Sequence, residues 1–379
     1  MDITNEIKQN RILKAYGGAN GNKVAIELNN ELYMIKFPPV AKKNMDLSYS
    51  NSNISEHVGS TIFNILGIQA QETKLYKAVV NNKDKIVVAC KDFTQDGSSL
   101  YEFSKIKNGC IDSSRSGSGT ELSEIMAAIH EQPFIDEKKL NEFFWDMFVV
   151  DAYLGNFDRH NGNWGLLVKN NKVSIAPVYD CGSCLFPQMD DETMKHVLSS
   201  TQEFNTRIFN YPTSQIKCDN KKINYYQFLN TTEDYTALKS VEKMAERISK
   251  NKQRTKEFIL NEELISPLQK EFYCKMLDKR NELMIQPAYR RAKKILSLNN
   301  ELNTYDTLIS TKCEKAIENY DEPNISLSDF KKWCATQIKE NNVDVNEFVN
   351  INNEKLVEGF LENRSNCILR LLNKKGMSR

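Results

Sequence analysis

The stretch that decides the fold is GNFDRHNGNWGLLV at residues 155–168, which a short apolar segment joins to YDCG at residues 179–182. Together they supply Asp158, an asparagine five residues later at Asn163, and a second aspartate at Asp180. Phosphoryl transfer needs one carboxylate facing the incoming hydroxyl, and an amide and a carboxylate that hold Mg²⁺ against the ATP phosphates. The spacing from Asp158 to Asn163 matches that of protein-kinase catalytic loops. The sequence therefore predicts ATP-dependent phosphoryl transfer, with Asp158 catalytic and Asn163 and Asp180 as Mg²⁺ ligands.

Composition and charge exclude several classes of protein. The 379 residues are 40% apolar and 27% charged, which is ordinary for a folded protein of two lobes or of two to three domains. The 51 basic and 50 acidic residues nearly cancel, so no long-range attraction to nucleic acid or to an anionic membrane is expected.

Targeting and cysteine usage point to one compartment. No apolar run reaches the roughly 18 residues of a membrane-spanning helix, and the polar N-terminus lacks a secretory signal. Nine cysteines, an odd number at irregular spacing, indicate reduced thiols. We therefore expect a cytoplasmic protein without a direct nucleic-acid or membrane partner, and signal-less export into a host cell stays open.

Hydrophobic periodicity outlines the secondary structure. The alternating residues 12–37 predict a β-hairpin, and Ser55 is the expected N-cap of the first helix. Further strands are predicted at residues 72–80, 85–90, 164–168 and 173–178. Helices are predicted at residues 55–66, 121–130 and 137–154.

The rest of the chain completes the predicted organisation. The Ser/Gly-rich segment 108–119 is expected to be a mobile loop, and from residue 190 the pattern is helical without a convincing strand. The fold predicted is α+β, two-lobed and protein-kinase-like, with a small β-rich N-lobe and a larger α-helical C-lobe. Its parts are an N-lobe at residues 1–95, a C-lobe at 96–297 and a helical extension of unassigned role at 298–379.

Lys36 is the candidate ATP-binding lysine. It lies near the end of the apolar strand YMIKF, where a lysine is costly unless it is paired or binds an anion. In a kinase it would contact the ATP phosphates and pair with a glutamate of the following helix, for which Glu56 is the candidate. The alternative is an edge-strand lysine that reaches solvent.

Backbone contacts to the nucleotide are predicted in two places. A loop rich in glycine and asparagine precedes the Lys36 strand and would let backbone N–H groups approach phosphates. Its candidate residues are Gly17, Gly18, Asn20, Gly21 and Asn22. The strand end Ala89-Cys90-Lys91 would be the hinge that reads the adenine edge, with Ala89 and Lys91 as candidates, although it also fits a simple strand end.

Other reactive residues have weaker interpretations. Arg159 and His160 would support the catalytic loop or the phosphates. A metal-hydrolase site at His160 is disfavoured because no second histidine stands at ligand spacing. Cys181 and Cys184 form a C-x-x-C without a second pair, so they are interpreted as core thiols. The basic-aromatic run at residues 221–226 is interpreted as a helix start rather than as an RNA platform.

These motifs, in this order, resemble the HipA family of bacterial serine/threonine kinases, and in particular a short branch of it. The resemblance covers roughly residues 10–290. The matching blocks are GGANGNK at 17–23, ELYMIKFPP at 31–39, IVVACKDFT at 86–94, FFWDMFV at 143–149, LGNFDRHNGNWG at 154–165 and DCGSCL at 180–185. It implies ATP and Mg²⁺ as cofactors and transfer to serine or threonine of a protein substrate, including the chain itself. It also carries over Lys36, Asp158, Asn163 and Asp180 in the roles given above.

The chain departs from the family pattern at three points. The full-length toxins carry an additional N-terminal β-domain that packs on an antitoxin, whereas the phosphate loop begins here near residue 17. A HipB-type antitoxin partner is therefore doubtful. The regulatory serine before the glycine loop has no counterpart in residues 13–16, and residues from about 300 to 379 exceed the short branch.

Two rival functions and several acceptor sites remain open. A phosphoinositide-type lipid kinase shares the Asp-Arg-His-x-x-Asn run, but the acidic segment 186–192 disfavours it. A nucleotide-binding pseudokinase used as an interaction module is disfavoured because every catalytic group is present. Candidate autophosphorylation acceptors are Ser113, Ser114, Ser116, Ser118 and Thr120.

Overall fold

The computed structural model describes residues 1–16, 23–38, 50–111 and 117–297. The chain divides into two compact units, Met1–Lys293 and Lys294–Arg379. Everything described below belongs to the first, except residues 294–297 at the end of the last helical segment. Both predicted lobes fall within that unit, so the lobe boundary near residue 95 stays a prediction. The predicted helical extension from residue 298 lies outside the described residues, as do residues 17–22 of the glycine loop.

An antiparallel sheet forms the N-terminal part of the unit. Its elements in chain order are α1 (Thr4–Gln9), β1 (Arg11–Ile12), β2 (Lys23–Leu28), β3 (Glu31–Lys36), α2 (Ser52–Ile65), β4 (Thr73–Val80) and β5 (Lys83–Lys91). The strand order is β1-β2-β3-β5-β4. Asn-Asn turns with positive φ at residues 29–30 and 81–82 join β2 to β3 and β4 to β5, as tight hairpins require. The hairpin and the two following strands are therefore confirmed.

The first ten residues, which the periodicity did not predict as structured, cover the sheet. Ile3 lies beside β4, where its N–H donates to the Lys77 carbonyl at 3.0 Å. Ile3 and Ile7 are buried in one hydrophobic cluster with Ile26 and Ile35 of the central strands. Six residues of α1 are too few for a helical period to stand out in the sequence.

Helix α2 begins earlier than predicted, at Ser52 instead of near Ser55. Ser55 is fully buried inside the helix and is not its N-cap. The N-cap is Asn51, whose side chain makes no cap hydrogen bond and instead donates to the Met189 carbonyl at 2.7 Å. Because a tertiary contact fixes the start of this helix, the local capping signal was misleading.

The C-terminal part is mostly helical. Its elements are β6 (Ser99–Glu102), α3 (Phe103–Cys110), α4 (Leu122–Glu131), α5 (Glu137–Leu154), β7 (Gly165–Lys169), β8 (Lys172–Ile175), α6 (Asp191–Ser199), α7 (Thr201–Phe209), β9 (Thr213–Cys218), β10 (Lys221–Asn224), α8 (Tyr225–Thr231), α9 (Tyr235–Lys250), α10 (Lys252–Asn261) and α11 (Pro267–Arg280). A π-helical turn, Asn281–Ile285, continues into a helical segment at residues 286–297.

Helix α5 is confirmed at its predicted bounds and carries the core of this part. Asp136 caps its N-terminus through the Lys139 N–H, and Gly155 ends it with a left-handed φ of 66°. Phe144, Trp145 and Phe148 are buried, and Trp145 meets both phenylalanines edge to face. Phe148 meets Phe228 of α8 in the same way. The chain leaves this rigid helix directly into the loop that contains Asp158.

Two expectations for this part are wrong. Strands β9 and β10 interrupt the region after residue 190 that was expected to be only helical. Residues 221–224 accordingly form a strand, and the helix begins only at Tyr225. The turn Asp219-Asn220, with positive φ at both residues, was the overlooked signal. Helix α3 also extends to Cys110, so the segment 108–119 begins as helix, and its residues 112–116 lie outside the described residues.

No helix within the described residues is long and apolar enough to cross a membrane. The cysteines described in the structure are all free thiols, in agreement with the sequence expectation.

Candidate active site

Lys36, the last residue of β3, lies between two carboxylates. Its Nζ is 2.8 Å from Glu56 Oε2 and 3.0 Å from Asp180 Oδ1. Burial opposes the charge of this ammonium, but the two carboxylates outweigh that effect and raise the Lys36 pKa above its ordinary value. The lysine is therefore held charged and in one place, in the pairing with α2 that the sequence predicted.

Asp180 is positioned by the backbone as well as by Lys36. Its φ of 58° lies in the left-handed region, which turns the chain sharply after the Tyr179 carbonyl. The charge of Lys36 lowers the Asp180 pKa to about 2 in spite of burial, so the carboxylate stays ionised. The next residue, Cys181, donates its N–H to Glu56 Oε1 at 3.2 Å. Glu56 thus links β3, α2 and the Asp180 loop.

The loop from Asp158 to Asn163 is fixed by hydrogen bonds within itself. The His160 N–H donates to the Asp158 carbonyl at 2.9 Å, and Asn163 Nδ2 donates to the same carbonyl at 3.0 Å. The Asp158 N–H donates to Asn156 Oδ1 at 3.1 Å. His160 Nδ1 accepts from the Gly162 N–H at 3.0 Å. Because the amide nitrogen of Asn163 is committed as a donor, its amide oxygen is the end left for a cation.

Arg159 joins this loop to the Asp180 loop. Its guanidinium makes a bidentate pair with buried Asp151, through Nε to Oδ2 at 2.9 Å and Nη2 to Oδ1 at 3.2 Å. Nη1 donates to the carbonyls of Asn163 and Tyr179. The side chain of Arg159 is 1% exposed, and Nε, Nη1 and Nη2 each donate to a protein acceptor. Of its two predicted roles, loop support fits these contacts and phosphate contact does not.

The predicted hinge residues do not fit an adenine site. Ala89 and Lys91 lie inside β5, which pairs with β3 on one side and β4 on the other. In a central antiparallel strand each N–H and C=O faces a neighbouring strand. The backbone of Ala89 is therefore used by the sheet. At Lys91, the last residue of β5, the N–H donates to the Glu72 carbonyl at 2.8 Å and the carbonyl accepts from Gln71 Nε2 at 2.9 Å. The side chain of Lys91 pairs with Glu31. The prediction expected the strand to end near residue 90, whereas β5 continues to Lys91.

The residues that do follow β5 contact the segment before the glycine loop. Asp92 is 4% exposed and accepts a hydrogen bond from the Tyr16 hydroxyl at 2.8 Å. Lys14 Nζ lies 2.6 Å from the same carboxylate. Asp92 therefore fixes Lys14 and Tyr16, which precede the predicted phosphate loop, at the end of the sheet. An aspartate after a strand is too common for the sequence to have singled it out. Buried Asp151 was missed because an aspartate within a helix gives no local signal of its role.

The two cysteines of the C-x-x-C motif lie next to this site. Cys181 and Cys184 are buried against α2, where a Cβ on Gly59 would lie 2.8 Å from Cys181 Cβ. The described residues contain no group of three or more His, Cys, Asp or Glu that could hold a metal by themselves. This finding agrees with the interpretation of the two cysteines as core thiols.

The predicted acceptor residues differ in access. Ser118 is exposed, whereas Thr120 is buried and donates its hydroxyl to the Gln215 carbonyl at 2.8 Å. Ser113, Ser114 and Ser116 lie outside the described residues. Asn161 of the catalytic loop donates to the carbonyls of Gly117 and Gly119, which flank Ser118, at 2.9 and 2.8 Å.

Comparison with known proteins gives consistent matches. Residues 15–258 match the model of the HipA-like C-terminal domain. The chain is 47% identical over 299 residues to the serine/threonine-protein kinase CtkA of Helicobacter pylori, covering 77% of this chain and 90% of that protein. The crystal structure described as that of a Helicobacter pylori proinflammatory kinase CtkA matches with a TM-score of 0.72 and 45% identity, over 78% of this chain and 98% of that one.

A more distant match is HipA of Shewanella oneidensis, solved with HipB and operator DNA. It has 11% identity and a TM-score of 0.46, over 76% of this chain and 71% of that one. That likeness is too weak to assign any feature of this chain.

Proposed function

We propose that this chain, which belongs to the HipA-like family and is a serine/threonine protein kinase, transfers the γ-phosphate of ATP at the site of Lys36, Asp158 and Asp180. The observation that supports this site is the ion cluster of Lys36 with Glu56 and Asp180. Arg159, which belongs to the Asp158 loop, donates a hydrogen bond to the carbonyl of Tyr179, the residue before Asp180. This bond holds the Asp158 loop next to the Asp180 loop. Residues far apart along the chain are thereby assembled around one centre.

The donor set fits ATP and Mg²⁺. Lys36 is a fixed cation for the phosphates, and the predicted phosphate loop precedes the β2–β3 hairpin that carries it. Asp180 and the amide oxygen of Asn163 would supply oxygen ligands of the kind that Mg²⁺ prefers. Bound Mg²⁺ would supply charge neutralisation of the phosphates. Asp180, with a pKa of about 2, remains an anionic ligand at any physiological pH.

Asp158 would orient the acceptor hydroxyl and take up its proton. Burial raises the pKa of this carboxyl above that of an ordinary aspartate, which makes it a better proton acceptor. Its loop is fixed on both sides, by Asn156 and by Asn163. His160 lies beside it with Nδ1 engaged by the loop backbone, so that its role is to support the loop.

Substitution of Lys36 by methionine tests the site. We expect Lys36→Met to lower phosphoryl transfer from radiolabelled ATP by roughly a hundredfold, because an electrostatic contact to the transferred group is lost. The matched control is Lys85→Met on β5, an exposed lysine of the same sheet. Transfer is measured to a generic protein substrate and, in parallel, to phosphoinositide vesicles. Equal transfer by Lys36→Met and Lys85→Met would contradict the assignment, and labelling of lipid alone would favour the lipid-kinase alternative.

Autophosphorylation is part of the proposal. The exposed Ser118 and the serines at 113, 114 and 116 are the candidate acceptors, whereas the buried hydroxyl of Thr120 is disfavoured. Incubation of the purified chain with Mg-ATP, followed by phosphosite mapping, should give phosphate on the segment 113–118. Absence of phosphate from this segment in a preparation that phosphorylates other proteins would reject these acceptors.

The pH dependence should follow Asp158. Besides burial, which raises its pKa, it senses the charges of His160, Asp180, Arg159 and Lys222. Transfer needs the ionised form, so the acid limb of kcat/KM should lie above the pH range of an ordinary aspartate. Lys222 opposes the rise in pKa, and Lys222→Ala should therefore move this limb to higher pH. An acid limb at the pH of an ordinary aspartate in the unmodified chain would exclude Asp158 as the group that titrates.

A further inference from the structure

The hairpin of β9 and β10 presents two lysines on one face. Lys217 and Lys222 are paired residues in the antiparallel register, so their side chains leave the hairpin on the same side. Lys221 pairs with Cys218 one position along, which places it on the opposite side, with buried Ile216 and Ile223. The name lysine face is used below for Lys217 and Lys222 together.

Like charges directly opposite one another destabilise a strand pair. Within the described part of the chain, neither lysine of the lysine face forms a salt bridge with a carboxylate. Glu121 is the partner of Lys217 in an isolated β-bridge, and its carboxylate accepts a hydrogen bond from the Asn220 N–H at 3.2 Å. The two lysines therefore form a basic spot that is held by no salt bridge within the described residues and that favours a bound anion.

The hairpin is fixed to the catalytic loop from two sides. On one side, the Lys217 N–H donates to the Thr120 carbonyl at 2.8 Å. The carbonyl of the preceding residue, Gly119, accepts from Asn161 Nδ2. On the other side, the Tyr225 hydroxyl, just after β10, donates to the Asn156 carbonyl at 2.6 Å.

Lys222 lies close enough to Asp158 for its charge to act on that carboxylate. The lysine is exposed, so it is accessible to a macromolecule that approaches Asp158 from solvent. Together with the two anchors, this places the lysine face beside the position where an acceptor hydroxyl would be held.

We propose that the lysine face binds acidic side chains that flank the serine or threonine of the acceptor protein. This inference rests on the proposed function, because it assigns a substrate preference to the same site. Charge complementarity favours carboxylates next to the acceptor residue over neutral or basic neighbours. Such rim charges act mainly on the association rate and on its salt dependence.

The test compares three peptides with the full-length chain and radiolabelled ATP. Each peptide contains one serine, flanked by aspartate and glutamate, by alanine, or by lysine. We expect the kcat/KM for the acidic peptide to exceed that for the neutral one on the order of tenfold at low salt. This advantage should shrink as ionic strength rises, because the contact is exposed to solvent.

Charge reversal identifies the residues responsible. The double variant Lys217→Glu with Lys222→Glu should lose or invert the ratio of acidic to neutral peptide. Lys221→Glu, which reverses a charge on the other side of the same hairpin, should keep that ratio. The ratio is compared within each variant, so a change in the basicity of Asp158 affects both peptides alike.

The outcomes separate this inference from the proposal that it rests on. Equal kcat/KM for all three peptides in the unmodified chain would overturn the inference alone, since transfer would still occur. A preference that survives the double charge reversal would also overturn it. No labelling of any peptide or protein, with Lys36→Met no different from the unmodified chain, would overturn the proposed site and this inference with it.

Discussion

Replacement of Asp158 by asparagine is expected to reduce phosphoryl transfer by roughly a hundredfold or more, while binding of ATP is retained. Asparagine has nearly the same shape and keeps the loop, whose hydrogen bonds use the backbone of residue 158 and not its side chain. What is lost is the carboxylate that orients the acceptor hydroxyl and holds its proton. The deficit should therefore appear in kcat rather than in the dissociation constant for nucleotide.

The measurement uses radiolabelled ATP for transfer and a fluorescent nucleotide for binding. Asp84→Asn, an exposed aspartate on β5, is the matched control and should transfer phosphate at the unmodified rate. A variant at residue 158 that keeps full activity in a clean preparation would remove Asp158 from the mechanism. Loss of nucleotide binding together with transfer would instead mean that the loop had collapsed, and circular dichroism would detect that change.

Replacement of Arg159 by leucine is expected to give the largest loss of stability, about 3–5 kcal/mol. The guanidinium is buried against Asp151, and each side chain of the pair is 1% exposed. Removing one partner leaves the other charge buried without compensation, and burial already raises the pKa of Asp151. The carbonyls of Asn163 and Tyr179 lose their donor as well, so activity should fall with stability.

Urea unfolding of single and double variants checks this expectation. Arg159→Leu combined with Asp151→Leu should be less destabilised than Arg159→Leu alone, because the unpaired charge is then absent. Lys275→Ala removes an exposed pair with Glu271 and should leave the unfolding midpoint unchanged. If Arg159→Leu were as stable as the unmodified chain, the contacts of Arg159 with Asp151 and with the two loops would not contribute to stability.

The parts of the site that could be predicted carry their own local signal. Asp158 and Asn163 share one short loop, and the apolar strand that contains Lys36 makes a charged residue conspicuous. Helix α5 has its observed bounds as predicted, and its ends carry local signals, since Asp136 caps its start and Gly155 ends it. Where local chemistry determines local structure, the sequence is sufficient.

The parts that could not be predicted depend on contacts between distant residues. Helix α2 starts at Ser52 because Asn51 is bound to Met189 and Gln269, far along the chain. The hinge prediction at residues 89–91 does not fit the pairing of β5 with strands on both sides, which depends on distant residues. The β9–β10 hairpin was missed because its strands are short and mostly polar.

The sequence by itself determined which side chains are available for the chemistry, and it fixed the loop spacing that brings Asp158 and Asn163 together. Only the tertiary structure decided that Glu56 and Asp180 meet at one ammonium. It also decided that Arg159 links the two loops and that the charge of Lys222 acts on Asp158. The physical reason is that hydrogen bonding and periodicity act over a few residues. Ion pairing and burial depend on distance in space, which only the folded chain defines.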